Sequence, residues 1–504
     1  MISKEQVLEL AVSYQVIPIV DSVFSGTETP LSIFEKLAAS KPGSFLLESA
    51  EAGVWSRYSF IGVDNLGFLS SSDDIVSWSS SDGRSPLPSP GGGIEHLSGL
   101  EALELLQKQW RAAPVEGLPP LVSGLVGLMG WDTVQQIEKL PLRKPKELNV
   151  PDLAMAVIRD LVVVDHQDSS LKLVSNIYLG QDQDPEKEYL LALERIQDMK
   201  AQLLKPAVPF LADVELQAEP LFSRRTSDGE FIELVDKAKK HVIAGDVFQV
   251  VLSQRFDCEV TASPLDVYRM LRAINPSPYM YLLNFLDDGG AFSVVGSSPE
   301  ALVRVNAGKA VLHPIAGSRP RGVSVEADTA LAAELLGDDK EKAEHLMLVD
   351  LARNDLLKVC DASSVSVTEF MTVERYSHIM HLVSTVEGEL RDGLSAVDVV
   401  RATFPAGTLS GAPKPRALEI IETLEQTNRG LFGGVVGYFD FAGNADLAIA
   451  IRTAVIRDGV GHVQAGAGIV LDSVPDLENQ ETLNKASAPL RAIHAANTMR
   501  RYQS

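Results

Sequence analysis

Three consecutive apolar segments near the C-terminus constrain the fold most. They are "GGVVGYFDF" (433–441), "DLAIAIRTAVI" (446–456) and "GHVQAGAGIVL" (461–471). Residues alternate between two faces along a strand. Antiparallel neighbours need only a tight connection, whereas parallel ones need a crossover of a dozen residues or more. The segments therefore read as an antiparallel meander. Upstream, "VFQVVLSQRF" (247–256) also alternates. Phe248, Val250, Leu252 and Phe256 share one side of it; Val247, Gln249, Val251, Ser253 and Arg255 share the other. A helix precedes it, with Ser227 or Asp228 as cap, Phe231, Leu234, Val235, Ala238 and Val242 on one face, and Gly245 as stop. The expected class is α+β, with large antiparallel sheets and helices packed on them.

A chain of 504 residues suggests two or three units. Residues 70–93, "SSSDDIVSWSSSDGRSPLPSPGGG", read as strand ends and a mobile surface loop. "LPPLVSGLVGLMGW" (118–131) is broken by Gly, Ser and Pro and reads as buried core rather than a membrane span. A helical stretch from Tyr189 to Leu204 is followed by "KPAVPFLADVELQAEP" (205–220). We place a boundary there, giving an N-terminal part, 1–215, and a C-terminal part, 216–504.

The formal charge of −23 opposes broad contact with nucleic acid or an anionic membrane, both polyanions. It leaves room for a small anion held at a local positive site. Cys258 and Cys360 form no metal-like spacing and no disulfide framework, which suits a reducing cytoplasm. The N-terminal "MISKEQVLEL" carries charges where a signal peptide needs an apolar core.

Several residues are candidates for chemistry. Glu341 and Glu344, and Glu478 and Glu481, are i, i+3 pairs in helical context, so each pair shares a helix face. Carboxylates in that arrangement suit Mg²⁺, which takes oxygen ligands and keeps waters; a solvated acidic face fits the same spacing. Arg452 is expected on a strand face with Ala448, Ala450 and Ala454. There its planar fork could take a carboxylate or a buried ion pair. Gly466 and Gly468, at the end of the next strand, would open backbone N–H groups to an anion, or mark a bulge. Thr408 lies in "PAGTLSGAPKPRA" (405–417), a small-residue loop running into a helix from about Ala412. His381, among apolar neighbours, suits either a satisfied core position or an acid–base group. In "HPIAGSRPRG" (313–322), a strand-like segment is expected to end in a turn at Ala316-Gly317-Ser318.

Taken together, "GDVFQVVLSQ", "NPSPYMYLL", "GSSPE", "HPIAGSRPRG", "EHLMLVDLARNDL", "RYSHIMHLVS", "GTLSGAPKPRA", "FGGVVGYFDF", "IAIRTAVI" and "QAGAGIVLDSVP" with its downstream glutamates resemble the chorismate-utilising enzymes. They fall in order and cover residues 228–495, and "FLLESAEAGVWSRYSFIG" (45–62) matches as well. The resemblance is greatest to the anthranilate synthase component I branch. It implies the chorismate-binding fold with the N-terminal part intertwined with the catalytic core. It implies Mg²⁺ on Glu344 and Glu481, with Glu341 and Glu478 assisting. It places the enolpyruvyl carboxylate of chorismate at Arg452 and the backbone of Gly466–Gly468, and puts Thr408 and Lys485 near the ring carboxylate or the metal. Glu300 matches a general acid that protonates the departing hydroxyl, and needs a pKa raised by burial. His381 matches a histidine of the pyruvate-elimination step. Phe432 stands where many relatives carry tyrosine, so it receives no polar role.

Two positions separate the branches. Ala316 replaces the lysine by which aminodeoxychorismate synthases attack the ring, and Gln249 replaces the lysine that activates water in isochorismate synthases. The small residues Ala316 and Gly317 leave room for ammonia. The branch resemblance thus implies formation of anthranilate and pyruvate, in tryptophan biosynthesis, with ammonia from a separate glutaminase subunit, since neither cysteine sits in a glutaminase-like elbow. It also implies feedback by tryptophan at Glu48, Ser49, Pro278, Tyr279 and Met280. The alternatives are an aminodeoxychorismate synthase component and a catalytically silent relative that senses tryptophan or chorismate.

Overall fold

The computed structural model describes the chain except residues 40, 51–56, 81–84, 87–96, 116, 142–143, 181–182, 208–209, 288, 376–378 and 503–504. Among the described residues, 21 strands join in one hydrogen-bonded sheet system whose ladders are antiparallel. A separate two-stranded pair ties Ala212–Asp213, in the expected boundary region, to Arg500–Arg501 at the C-terminal end. The α+β class and the intertwining of the N-terminal part are both realised. Strand Gly124–Met129, wholly buried as expected, pairs with Val435–Asp440. Phe45–Glu48 pairs with Tyr279–Asp287. The apolar clusters mix the two halves: Trp110, Trp131 and Met155 pack in one core with Leu252, Phe432 and Ile469.

Local signals set the helix ends. Ser227 caps helix Asp228–Ile243 in a reciprocal capping box with Glu230, and Gly245 stops it at φ +79°. The stretch expected from Tyr189 to Leu204 is helix Pro185–Leu203, starting on the Asp184 cap. Both acidic pairs are helical, in Asp339–Leu357 and Pro475–Thr498. Of residues 70–93, positions 81–84 and 87–93 lie outside the described residues; the rest includes the end of strand Tyr58–Ser72 and strand Ile75–Ser79. The matching segments also include 51–56 and 376–378, which lie outside as well.

Three expectations need correction. The segment 446–456 is two strands, Ala445–Ile449 and Thr453–Arg457, rather than one. The first pairs with Val435–Asp440 and Ala301–Asn306, the second with Gly290–Ser298 and Val460–Ile469. To change neighbours the chain must turn, and Ile451 N–H closes a tight turn onto Ile449 O at 2.9 Å. Second, strand Gln249–Glu259 is buried on both faces, so its alternation does not divide core from solvent. Its buried polar members find partners for most of their groups: Ser253 N–H and Oγ bond Glu425, and Gln254 Nε2 bonds Asn479 and Thr482. Phe248 lies just before the strand and is 74% exposed instead of sharing its core face. Third, the loop 405–417 contains a one-turn helix, Gly407–Ser410, before helix Lys414–Leu424.

Gly437 sits in the strand that joins the two halves, opposite Gly127. A Cβ there would lie 2.0 Å from the Asp446 carbonyl oxygen. Gly437→Ala should therefore destabilise the whole chain by about 1–3 kcal/mol, the usual cost of overpacking. A lower denaturation midpoint in urea checks this.

Candidate active site

Strands Gln249–Glu259 and Val460–Ile469 form the floor, in continuous register from Val250↔Ile469 to Glu259↔Val460. Thr453–Arg457 covers the outer edge of the second strand only as far as Val463, and no other described strand pairs with that edge beyond it. Helix Pro475–Thr498 packs over this region, and Lys485 Nζ donates to Gly466 O at 3.0 Å. Gly466 and Gly468 fall in the last four residues of strand Val460–Ile469, at its end as expected. A Cβ on Gly468 would sit 2.4 Å from Gln249 Nε2, so its missing side chain gives the Gln249 amide its space.

Glu300 follows strand Gly290–Ser298. Thr408 Oγ1–H donates to Glu300 Oε1 at 2.9 Å, from the Gly407–Ser410 turn. Burial pushes the Glu300 carboxyl up to about 7, against the lowering effects of the Thr408 bond and the Lys485 charge. It borders a small cavity of about 60 Å³ that Thr408, His313, Leu348, Asp355 and Ile449 also line. A carboxyl in that range can be protonated at neutral pH and still release its proton.

Arg452 lies in the connection between the two short strands, not on a strand face among alanines. Its φ is +51°, a left-handed conformation that costs a non-glycine residue about 1–2 kcal/mol. Among the described residues its guanidinium has no hydrogen-bond or ion-pair partner, so the expected alternative of a buried ion pair does not occur. Burial lowers its pKa and the Glu481 charge raises it.

Ala316 and Gly317 do not end a strand. Ile315–Pro320 runs through them beside Ile379–Glu389, and Gly317 is the bulge between Ala316↔Leu382 and Ser318↔His381. Gly317 has φ +67°, and a Cβ would stand 3.0 Å from Glu341 Oε2. Its carbonyl is 3.0 Å from His381 Nδ1. A carbonyl only accepts, so Nδ1 carries the proton and Nε2 is the basic nitrogen. Burial and the Arg452 charge hold the His381 pKa below its usual value, against the raising effect of the Gly317 bond.

The four glutamates face a common region but are not a preformed cage. Glu344 is raised in pKa by partial enclosure and by the Glu341 and Glu481 charges. Glu478 is raised by burial and by Glu481. Glu481 pairs with Lys485 at 2.6 Å, and Glu341 Oε1 lies 3.6 Å from Arg319. Among the described residues, no three His, Cys, Asp or Glu side chains stand close enough to hold a metal unaided.

A second polar cluster joins the two halves. Met280 pairs with Glu48 in the ladder, directly linking two of the predicted regulatory segments. The buried Glu48 carboxylate accepts from Tyr268 OH at 2.5 Å and lies 3.5 Å from Arg272. Ser49 Oγ is buried with no hydrogen-bond partner among the described residues. Tyr279 OH donates to Asp446 at 3.0 Å and accepts from Arg304 at 2.8 Å. Pro278 is partly buried beside Tyr279. Asp446 comes from a distant segment, and Tyr268 and Arg272, on helix Pro264–Ile274, reach Glu48 only through the fold, so sequence reasoning missed them along with Arg304.

The profile of the chorismate binding enzymes matches residues 69–491. The chain belongs to this family. Among similar relatives, anthranilate synthase component 1 of Mycolicibacterium smegmatis is 50% identical, covering 99% of this chain and 94% of that one. That of Arthrobacter globiformis is 48% identical over 98% and 93%. The crystal structure of anthranilate synthase component I from Streptococcus pneumoniae superposes with a TM-score of 0.75 at 34% identity, over 87% of this chain and 93% of that one. In this chorismate-binding enzyme Gly317 takes a left-handed backbone with Glu341 close by. Gly317→Ala should lower stability by about 1–2 kcal/mol through its left-handed backbone, measurable in urea melts.

Proposed function

We propose that the chain aminates chorismate, with loss of pyruvate, to give anthranilate. The observation that carries this reading is the Glu300 carboxyl, pushed up to about 7 and held by Thr408. Ammonia would add at C2 while Glu300 delivers its proton to the C4 hydroxyl, which leaves as water. His381 would serve the subsequent elimination of pyruvate through the nitrogen that its Gly317 contact leaves basic. Ala316 and Gln249 supply no amine nucleophile and no base, which argues against both sister activities.

The chorismate-binding enzymes are in general Mg²⁺-dependent, and the donor set here fits. It is oxygen-only, and Glu344 and Glu478 carry raised pKa values in part from neighbouring carboxylates. Glu344 and Glu481 would hold the ion, with Glu341 and Glu478 supporting them; waters and substrate oxygens complete such a shell. When bound, Mg²⁺ neutralises and orients the ring carboxylate. Lys485 would lie beside that carboxylate, and Arg452, whose guanidinium has no hydrogen-bond or ion-pair partner among the described residues, would receive the enolpyruvyl carboxylate with the Gly466–Gly468 backbone.

Ammonia would come from a glutaminase subunit. The division at residue 215 would separate a regulatory and structural part from a catalytic one, in a cytoplasmic enzyme of tryptophan biosynthesis. Among the described residues no helix is long and apolar enough to cross a membrane.

A fluorescence assay for anthranilate tests the reaction. Chorismate, Mg²⁺ and ammonium should yield product; glutamine in place of ammonium should not, and a chelator should abolish turnover. Glu300→Gln should lower kcat by about 10²–10⁴-fold. At a fixed concentration of free ammonia, kcat should fall as pH rises through about 7, because the acid must be protonated. Product of aminodeoxychorismate mass, or none at all, would favour the alternatives.

Tryptophan feedback is the regulatory half of the reading. The buried Ser49 Oγ at the Glu48–Met280 junction, without a hydrogen-bond partner among the described residues, supports a ligand there. Ser49→Ala and Met280→Thr should weaken inhibition by tryptophan while ammonia-driven activity is largely kept. Inhibition curves that coincide with those of the unaltered chain would move the regulatory site elsewhere.

A further inference from the structure

We infer that Arg429 is a positioning residue that seats the Gly407–Ser410 turn and so holds Thr408 against Glu300. The inference rests on the reading of Glu300 as proton donor. Arg429 is only 2% exposed. Its Nε and Nη2 form a fork on Glu425, at 2.8 and 2.6 Å. Nη2 also donates to Val251 O at 2.8 Å, and Nη1 to Leu409 O at 2.7 Å.

The last bond reaches the residue after Thr408. A helix of four residues is too short to stabilise itself, and this turn has no side-chain cap at its N-terminus. Arg429 supplies an external anchor for one of its carbonyls. On the opposite side, the same Glu425 Oε1 accepts from Ser253 N–H and Oγ, at 2.8 and 2.9 Å. One guanidinium–carboxylate pair therefore fixes the turn that bears Thr408 relative to the strand that bears Gln249.

The clamp crosses the two halves of the chain. The guanidinium lies 4.2 Å from the Trp131 ring centroid and 5.6 Å from that of Phe432. The Trp131 backbone N–H in turn donates to Gly430 O at 2.7 Å. Lysine cannot reproduce this arrangement, because a compact ammonium cannot fork onto Glu425 and span both carbonyls.

The test is a double-mutant cycle on the full chain with Arg429→Lys, Thr408→Val and the pair together, at saturating chorismate, Mg²⁺ and ammonium. Melting temperatures are recorded for each, so that activity is read only where the chain is folded. Arg429→Lys should lower kcat by about ten- to a hundredfold, the scale of a small misplacement in an active site, with little change in KM for chorismate. The double variant should be no slower than the slower single one, since both remove the same contact. The alkaline limb of the pH–rate profile should move upward in both single variants, as the Thr408 bond that lowers the Glu300 pKa is lost or loosened. The other charged or titratable groups facing Glu300, namely Lys485, Asp355 and His313, stay in place in every variant.

If Arg429→Lys does not fold, Trp131→Leu, which removes the ring under the guanidinium, takes its place in the same cycle. Multiplying losses with an unshifted limb, or an unchanged kcat, overturn the positioning role. A chain that makes no anthranilate overturns the functional reading with it; an active chain with independent losses overturns this inference alone.

Discussion

The ladder of Val435–Asp440, with Gly124–Met129 on one side and Ala445–Ile449 on the other, is the constraint on which the rest depends. It makes one sheet system out of two parts of the chain. Backbone hydrogen bonds across it leave little freedom for the halves to move independently. Glycines 127 and 437 oppose each other in this ladder, and a side chain at either would meet a backbone carbonyl oxygen within 2.0 Å. Ala445–Ile449 leads directly into the turn that carries Arg452. The strain of that left-handed residue is therefore supported by strands on both sides.

Electrostatics then divide the site into two kinds of group. Some charges are fully answered by protein: Arg429 by Glu425 and two carbonyls, Glu48 by Tyr268 and Arg272. Burying such groups is tolerable because each has a partner. Others are left unanswered or in competition. Among the described residues Arg452 has no hydrogen-bond or ion-pair partner, and Glu344 sits among like charges. Unanswered charge is what a small dianion and a divalent cation can satisfy, which is how a protein of net charge −23 can offer an anion a place to bind.

The polar cluster around Glu48 and Tyr279 shares strands with the region of Glu300 and Arg452. Tyr279–Asp287 carries Tyr279 and Met280 and pairs with Gly290–Ser298, which leads to Glu300. Tyr279 bonds Asp446, in the strand that leads to Arg452. A ligand that displaced these contacts would act on elements that end at two of the candidate active-site residues.

Much of this was legible in the amino-acid order alone. Alternation gave the strands, capping residues gave the helix starts, and the i, i+3 glutamates were correctly placed on helix faces. Short-range geometry decides those features, so sequence spacing encodes them. The sequence could not show that 446–456 divides into two strands, because its apolar pattern continues unbroken and only the choice of neighbouring strands breaks it. It could not show that Gly317 is a bulge rather than a turn, since that depends on the register with Ile379–Glu389. Nor could it join Arg429 to Leu409 or Thr408 to Glu300. Such contacts connect residues far apart in the chain, and their partners are selected by the packing of the whole sheet.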